Sequence, residues 1–425
     1  MIDEQDKGYR EELAADGRPS GVEAEEEISR QEPFDPEQIS IDTKVFPLET
    51  ITRRLIQGSI RLAPAFQRNE VWGATQKSQL IESLMLKIPI PMFYVSSDVK
   101  GNWDVVDGLQ RLTTVKEFVL GNTYMQAKQE ADRGNGLRLV SLEFWGDDYN
   151  NFTFNQLPDF LKNRILETQF NFTIINPGTP EEVKRNIFKR INTGGMPLTS
   201  QEIKHALYHG KSTKLLEELV ATEEFKQATG NSVDDSRMAA RELVLRFLAF
   251  SVRSYESYPK TSNMDDFISD TMRIINIMPD LEEKELKKIF KNQAKSLEQL
   301  PEIRFKDIDK LKNRFIVGMR RAFELFGVHT FRSSYANNRR SHINKTLFEV
   351  WGNLLADLNE DEFNTVKSKK TTFLEEYHKI LNEQEFYLYI SRYSWMYNSV
   401  HRRYIDLKKI MTEILAVKEI RKHAK

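Results

Sequence analysis

The chain has 425 residues, of which 29% are charged, and this length is sufficient for two or three domains with separate cores. It contains no cysteine, which excludes disulfides, thiolate metal sites and cysteine nucleophiles. No apolar run is long enough to cross a bilayer, and the N-terminal residues lack the basic and apolar regions of a signal peptide, so we expect a cytoplasmic protein without membrane contact.

The net charge of −1 conceals an asymmetry between the N-terminus and the rest of the chain. Residues 1–44 contain 14 acidic and 5 basic residues, whereas the remainder carries a balance of +8. Such a composition predicts an acidic, disordered leader over residues 1–44. Two interpretations of this leader remain open: a merely solvated segment, or one that covers a basic groove and competes with nucleic acid.

Hydrophobic periodicity predicts alternating helices and short strands in the first half of the chain. The predicted helices lie at residues 48–56, 78–86 and 180–191, and the predicted strands at residues 60–62, 92–95, 103–106 and 170–175. The strand at 103–106 is expected to pair with the strand at 92–95. Residues 121–136 are polar and rich in turn formers, which predicts a mobile loop.

After Thr199, apolar residues follow helical spacing as far as Leu415, which predicts an all-helical C-terminal half. The expected fold class is therefore α+β. A mixed-sheet domain at residues 45–210 would be followed by an all-helical domain at residues 211–425.

The most informative sequence is the stretch 106–114, VDGLQRLTT, which joins an apolar strand to an amphipathic helix. A helix start offers unpaired N–H groups to an anion, and the forked cation of Arg111 suits a phosphate. An ordinary structural interpretation remains equally open at this point. Asp107 would then cap the helix, Gly108 would supply a backbone angle, and Arg111 would pair with a carboxylate.

Two further blocks of sequence accompany this one. They are residues 64–68, PAFQR, followed by Val71 and Trp72, and residues 188–199, FKRINTGGMPLT. Together with residues 107–114, and in this order, they resemble the N-terminal domain of GmrSD-type restriction endonucleases. The resemblance spans roughly residues 45–250.

This resemblance implies a ParB-like, sulfiredoxin-like core that binds and hydrolyses nucleoside triphosphates and regulates cleavage of modified phage DNA. One position departs from the family pattern, because Leu109 stands where the family commonly has glutamine. If the family's amide contacts the nucleotide, this chain would bind a nucleotide without hydrolysing it.

The resemblance also assigns roles to residues of the three blocks. Asp107 and Arg111 would be the catalytic residues: Asp107 would hold Mg²⁺ or orient water, and Arg111, together with Arg68, would neutralise phosphates. The other expected nucleotide ligands are Gln67, Gly108, Gln110, Thr113, Asn192, Thr193 and Gly194. Structural alternatives remain for the outer blocks, where Arg68 would pair with a neighbouring glutamate and the glycines after Thr193 would end a helix.

A nuclease site is not evident in the sequence. His205 and His209 are four residues apart on a predicted helix, but Ala206 stands where a zinc protease has glutamate, so both are interpreted as core or surface histidines. His342 matches the first histidine of an HNH nuclease, but no second matching histidine follows it. The HNH half of the two-part enzymes is therefore expected to be missing. Glu202, with Thr199, completes a helix capping box.

Basic residues interleaved with aromatics occur in the C-terminal half, a pattern that suits DNA and equally suits a helical bundle with solvated cations. For most of the aromatics, core packing is the better interpretation. The expected DNA phosphate contacts are Arg339, Arg340, Arg402 and Arg403.

We therefore expect an NTP-binding, DNA-acting component of bacterial anti-phage restriction, with Mg²⁺ and a nucleoside triphosphate as cofactors, and hydrolysis of the nucleotide is left open. The expected partners are DNA and a separately encoded nuclease subunit, and a homo-oligomer is left open. The alternative function is a non-catalytic DNA-binding or regulatory module that recruits a separate nuclease. A nuclease in its own right is a third possibility.

Overall fold

The computed structural model describes residues 11–14, 17–24, 39–62, 72–191, 199–260, 264–290, 300–335 and 340–423. The chain divides into two compact units, residues 31–207 and residues 1–30 together with 208–425. We call them the α/β unit and the helical unit. From composition and periodicity, the expected divisions are at residues 44/45 and 210/211.

The α/β unit contains a mixed sheet of five strands in the order β3-β7-β5-β6-β4. Their bounds are β3 Ile41–Pro47, β4 Ile60–Arg61, β5 Phe93–Ser97, β6 Trp103–Asp107 and β7 Gln169–Ile175. Strand β3 runs antiparallel to β7, β7 parallel to β5, β5 antiparallel to β6, and β6 parallel to β4. The expected pairing of the strands at 92–95 and 103–106 is confirmed.

Helices connect these strands. Their bounds are α1 Leu48–Ile56, α2 Ala74–Met85, α3 Leu109–Val115 with a π turn at Lys116–Leu120, α4 Asn122–Ala127, α5 Gly146–Tyr149, α6 Asp159–Glu167, α7 Glu181–Ile191 and α8 Ser200–Leu207. Helix α1 follows the spacing of apolar residues that predicted it. Leu48, Ile51 and Leu55 lie on one face of this helix and are buried in the core. Phe93 stacks between Phe170 and Phe172, with ring centroids 4.9 and 5.0 Å away.

The prediction of a mobile loop at residues 121–136 is wrong. Helix α4 and a 3-10 turn at Glu130–Asp132 occupy this segment, and Tyr124 is buried in the core. The segment is polar in composition, and this composition gave no sign that its one aromatic side chain, Tyr124, packs into the core.

The helical unit consists mainly of helices. Their bounds are α9 Lys211–Val220, α10 Glu223–Thr229, α11 Ala239–Val252, α12 Met264–Ile277, α13 Glu283–Ile289, α14 Ile308–Phe326, α15 Lys345–Asp357, α16 Glu360–Ser368, α17 Lys370–Leu381, α18 Gln384–Ser391 and α19 Tyr397–His423. Helices α14 and α15 approach closely, since a Cβ atom on Gly318 would lie 2.6 Å from the carbonyl oxygen of Gly352. The predicted α+β class, with a helical second half, is confirmed.

Part of the expected acidic leader belongs to the helical unit. Strands β1 Glu11–Leu13 and β2 Pro19–Glu23 form a two-stranded sheet, so the prediction of disorder is wrong for them. The N–H of Glu23 donates to the carbonyl of Ile343 at 2.9 Å, and the N–H of Ile343 donates to the carbonyl of Gly21 at 2.9 Å.

The acidic side chains of this hairpin have specific partners, which composition alone does not reveal. Glu11 pairs with His342 at 2.8 Å, Glu12 pairs with Lys345, and Glu23 accepts a hydrogen bond from Asn344 at 2.7 Å. At the other end of the expected leader, residues 41–44 lie in strand β3 of the α/β unit.

Among the described residues, no helix combines the length and the apolar character needed to span a membrane.

Candidate functional site

The centre of the candidate site is the turn from β6 into α3, which we call the Asp107 corner (residues 106–114). Strand β6 ends at Asp107, Gly108 adopts a φ of +94°, and α3 begins at Leu109. Glycine is required at this turn for two reasons. L side chains rarely adopt this backbone conformation, and a Cβ atom would lie 2.3 Å from Cδ1 of Phe93.

Asp107 and Arg111 form an ion pair within the corner. Arg111 Nη2 lies 2.8 Å from Asp107 Oδ2, and the side chains are 12% exposed for Arg111 and 37% exposed for Asp107. The carboxylate is therefore accessible while the guanidinium is largely covered. Asp107 Oδ1 has no hydrogen-bond partner among the described residues, so one carboxylate oxygen remains available for a cation or a water molecule.

Arg111 is also held by the backbone before β5. Its Nη1 donates to the carbonyl of Pro91, its Nη2 donates to the carbonyl of Met92 at 3.3 Å, and its guanidinium carbon lies 4.7 Å from the centroid of the Phe93 ring. Burial lowers the pKa of Arg111, and the negative charge of Asp107 opposes this effect. The side chain remains a cation because a guanidinium does not deprotonate in proteins.

The amide of Gln110 is the second polar group of interest. Its Oε1 atom is buried and has no hydrogen-bond partner within the part of the chain that the structure describes. Buried acceptors are nearly always paired, so an unpaired amide oxygen three residues after Asp107 in the sequence is a group that a ligand could satisfy. Thr113, one turn further along, is half-buried. Leu109 instead packs against the hydrophobic core.

The residues expected from the two outer blocks, Gln67, Arg68, Asn192, Thr193 and Gly194, lie outside the described residues. Their positions remain predictions, but the elements that flank these blocks are described.

Strand β4, which precedes the first block, runs parallel to β6, with Ile60 opposite Trp103 and Arg61 opposite Asp104. The chain therefore leaves β4 toward the same edge of the sheet at which Asp107 ends β6.

The third block is flanked by α7 and α8. Phe188 on α7 and Ile203 on α8 belong to one buried cluster, and Val106, the residue before Asp107, packs against it. The chain thus enters and leaves the third block beside the strand that carries Asp107.

Among the residues expected to contact DNA, Arg339 lies outside the described residues, whereas Arg340 and Arg402 are exposed. The prediction is wrong for Arg403. This side chain is fully buried, and its guanidinium pairs with Glu349, which is also fully buried. A phosphate cannot reach it.

The remaining predictions concern histidines and helix caps. His205 is buried and His209 is exposed, as expected for a core and a surface histidine. The capping box is confirmed, because the N–H of Thr199 donates to Glu202 Oε2 at 2.6 Å and the N–H of Glu202 donates to Thr199 Oγ1 at 3.1 Å. Within the described ranges, no group of three or more His, Asp or Glu residues could hold a metal ion.

The partners of Arg111 before β5 could not be identified from the sequence. Two of them are backbone carbonyls, at Pro91 and Met92, which leave no signature in the residue types.

Residues 49–209 match the family model for the GmrSD restriction endonuclease, N-terminal domain, and this range contains all three blocks. No curated protein and no solved structure matches the chain. The resemblance inferred from the three blocks is therefore confirmed: residues 49–209 are similar to the N-terminal domain of the GmrSD restriction endonuclease family.

Proposed function

We propose that this chain is a nucleotide-binding, DNA-acting component of a bacterial anti-phage restriction system, and that the Asp107 corner binds a nucleoside triphosphate with Mg²⁺ and hydrolyses it. The match to a restriction endonuclease domain supports the role in restriction and makes DNA the expected substrate of the system. The family description names no nucleotide, so the nucleotide part of the proposal depends on the site itself.

The observation that carries the proposal is the convergence of the flanking elements on one end of β6. The first block follows a strand parallel to β6, and the helices on both sides of the third block pack beside Val106. Under this proposal, three polar blocks from distant parts of the sequence would meet at Asp107, and their cations and amides would surround one carboxylate.

The proposed chemistry follows from the groups at the corner. Mg²⁺ is usually held by one or two carboxylates together with phosphate oxygens and water, so Asp107 alone suffices on the protein side. When bound, the metal would neutralise the charge that develops on the phosphates. Arg111 would turn part of its fork from Asp107 toward a phosphate, and Gln110 would pair its amide oxygen with the ligand.

The test is Mg²⁺-dependent phosphate release by the full chain from ATP, GTP, CTP and UTP, together with the affinity for each. We expect Asp107→Asn to abolish hydrolysis but to retain nucleotide binding without metal, because the neutral amide no longer competes for Arg111. Asp104→Asn is a matched control, since Asp104 lies on the same strand and pairs with Arg61 at 2.7 Å instead. It should leave hydrolysis unchanged.

A second candidate function is favoured by two observations. Arg111 already has an internal counterion, and Leu109 packs into the core where the family has an amide. These features suit a non-catalytic module that binds DNA and recruits a separate nuclease. If the chain neither binds nor hydrolyses any of the four nucleotides, the first function is excluded. An Arg111→Ala variant with weakened DNA binding would then support the second.

A further inference from the structure

Strand β3 has an open edge. It is the outermost strand of the five-stranded sheet and pairs only with β7 among the described residues. Ile41 and Val45 on this strand are 40% and 53% exposed. An exposed edge of seven residues with apolar side chains is a site at which another strand can pair.

The hydrogen bonds at both ends of the β3–β7 ladder show which groups of β3 face outward. The N–H of Asn176 donates to the carbonyl of Ser40 at 2.9 Å, and the N–H of Leu48 donates to the carbonyl of Thr168 at 3.0 Å. The register between Ile41 and Pro47 is continuous. Even-numbered residues therefore bond to β7, and Ile41, Thr43 and Val45 direct their N–H and C=O groups away from the sheet.

A second copy of β3 could approach this edge in antiparallel orientation around a two-fold axis. The two-fold axis must lie between two copies of the same residue. Only then do the outward-facing N–H and C=O groups of one strand meet the outward-facing groups of the other. A register centred on Asp42 would place the two copies of Asp42 opposite each other. A register centred on Lys44 would do the same with the two copies of Lys44. Like charges directly opposite each other are unfavourable.

A centre at Thr43 gives a complementary arrangement. Asp42 of each copy then lies opposite Lys44 of the other, and Ile41 lies opposite Val45. The three outward-facing residues of each strand supply six backbone hydrogen bonds in all. Both charged side chains are accessible in the single chain, where Lys44 Nζ lies 3.6 Å from Asp42 Oδ2 and the side chains are 56% and 48% exposed.

We propose that two copies of this chain associate through β3, in antiparallel register centred on Thr43. The two five-stranded sheets then become one sheet of ten strands. Lysine on an edge strand ordinarily discourages pairing with other strands. Here Asp42 of one copy lies opposite Lys44 of the other only in the Thr43 register, so the same two residues permit this pairing and disfavour the adjacent registers.

The test is the mass of the full chain in solution over a range of concentrations, measured by sedimentation and light scattering. The wild-type chain should form a dimer that dissociates on dilution. Asp42→Lys places lysine against lysine, and Lys44→Asp places aspartate against aspartate. Each variant alone should dimerise about tenfold more weakly or not at all.

Mixing the two variants provides the decisive arm. One chain then carries lysine at both positions and the other carries aspartate at both, so a heterodimer has every pair complementary. The double variant Asp42→Lys/Lys44→Asp should likewise recover the homodimer. Thr43→Pro is an independent variant that removes an outward N–H without touching the β7 ladder, and it should weaken the dimer.

Three results would overturn the proposal. They are a wild-type chain that remains monomeric at all concentrations, single charge variants that dimerise as well as the wild type, and a mixture of the two that stays monomeric while both chains retain wild-type circular dichroism and melting temperature.

Discussion

Gly108 lies against the ring of Phe93 so closely that a methyl group on it would be 2.3 Å from Phe93 Cδ1. The same ring lies under the guanidinium of Arg111. The ring of Phe93 on β5 thus contacts both the backbone turn at Gly108 and the guanidinium of Arg111 in the Asp107 corner.

Gly108→Ala should destabilise the α/β unit. The positive φ costs about 1–2 kcal/mol for a residue with a Cβ atom. Displacing a buried ring costs about 1–3 kcal/mol more. Denaturant unfolding followed by circular dichroism measures the sum. Gly58→Ala is the matched control, because Gly58 also has a positive φ of +71° but no atom within 4 Å. If both variants lose the same stability, Phe93 does not constrain the turn.

Arg403→Ala should destabilise the helical unit. Removing one partner of a buried ion pair leaves an uncompensated charge and typically costs about 3–5 kcal/mol. In the variant, Glu349 keeps a second cation, Arg246, at 3.4 Å. We therefore expect a loss of stability near the lower end of this range. Thermal unfolding of Arg403→Ala and of its exposed neighbour variant Arg402→Ala gives the comparison. Arg402→Ala should change stability by no more than about 0.5 kcal/mol. Equal effects would contradict the assignment of Arg403 to the core.

Gly21→Ala should dislodge the N-terminal hairpin. A Cβ atom there would lie 1.9 Å from the carbonyl oxygen of Ser232, and φ is +82°. We expect a lower melting temperature and faster proteolytic cleavage at the N-terminus. Gly17→Ala, with φ of +81° and no atom within 4 Å, separates the contact from the backbone effect. Unchanged proteolysis in the Gly21 variant would mean that the hairpin does not need this contact.

The stability of the helical unit should fall at acidic pH through His378. This imidazole stacks on Tyr335 at 4.0 Å and lines a cavity of about 480 Å³. Burial lowers the pKa of His378, and the nearby His329 lowers it further. In the unfolded chain histidine binds a proton near its ordinary pKa of about 6.5, so the unfolded state gains protons first as the pH falls. The contribution of the neutral His378 side chain to stability is therefore complete above about pH 6.5 and is lost as the pH falls below this value.

His378→Gln should reduce the loss of stability between about pH 7.5 and pH 5.5 in denaturant titrations, since the substituted side chain cannot be protonated. His209→Gln, at an exposed position, should show the full loss. The interpretation fails if the two variants have the same pH dependence.

Local sequence was sufficient to predict the Asp107 corner. An apolar strand, a glycine and an amphipathic helix occur in immediate succession, and β6, Gly108 and α3 form from them as expected. The capping box at Thr199 and Glu202 was predictable for the same reason, because its partners are three residues apart.

Features that depend on distant residues were not predictable. The acidic composition of residues 1–44 concealed the hairpin because its backbone partner, Ile343, lies in the other half of the chain. The open edge of β3 depends on its pairing with β7, which is more than 120 residues away in the sequence.

The turn between β6 and α3 follows from the sequence, because it depends on the spacing of apolar residues and on neighbours within one or two turns. Which cations are available to a ligand depends instead on how the whole chain folds. Arg402 and Arg403 are adjacent and chemically identical, yet one is exposed and the other is buried against Glu349, which is 54 residues away. A buried charge is stable only beside a partner, and that partner is brought to it by folding.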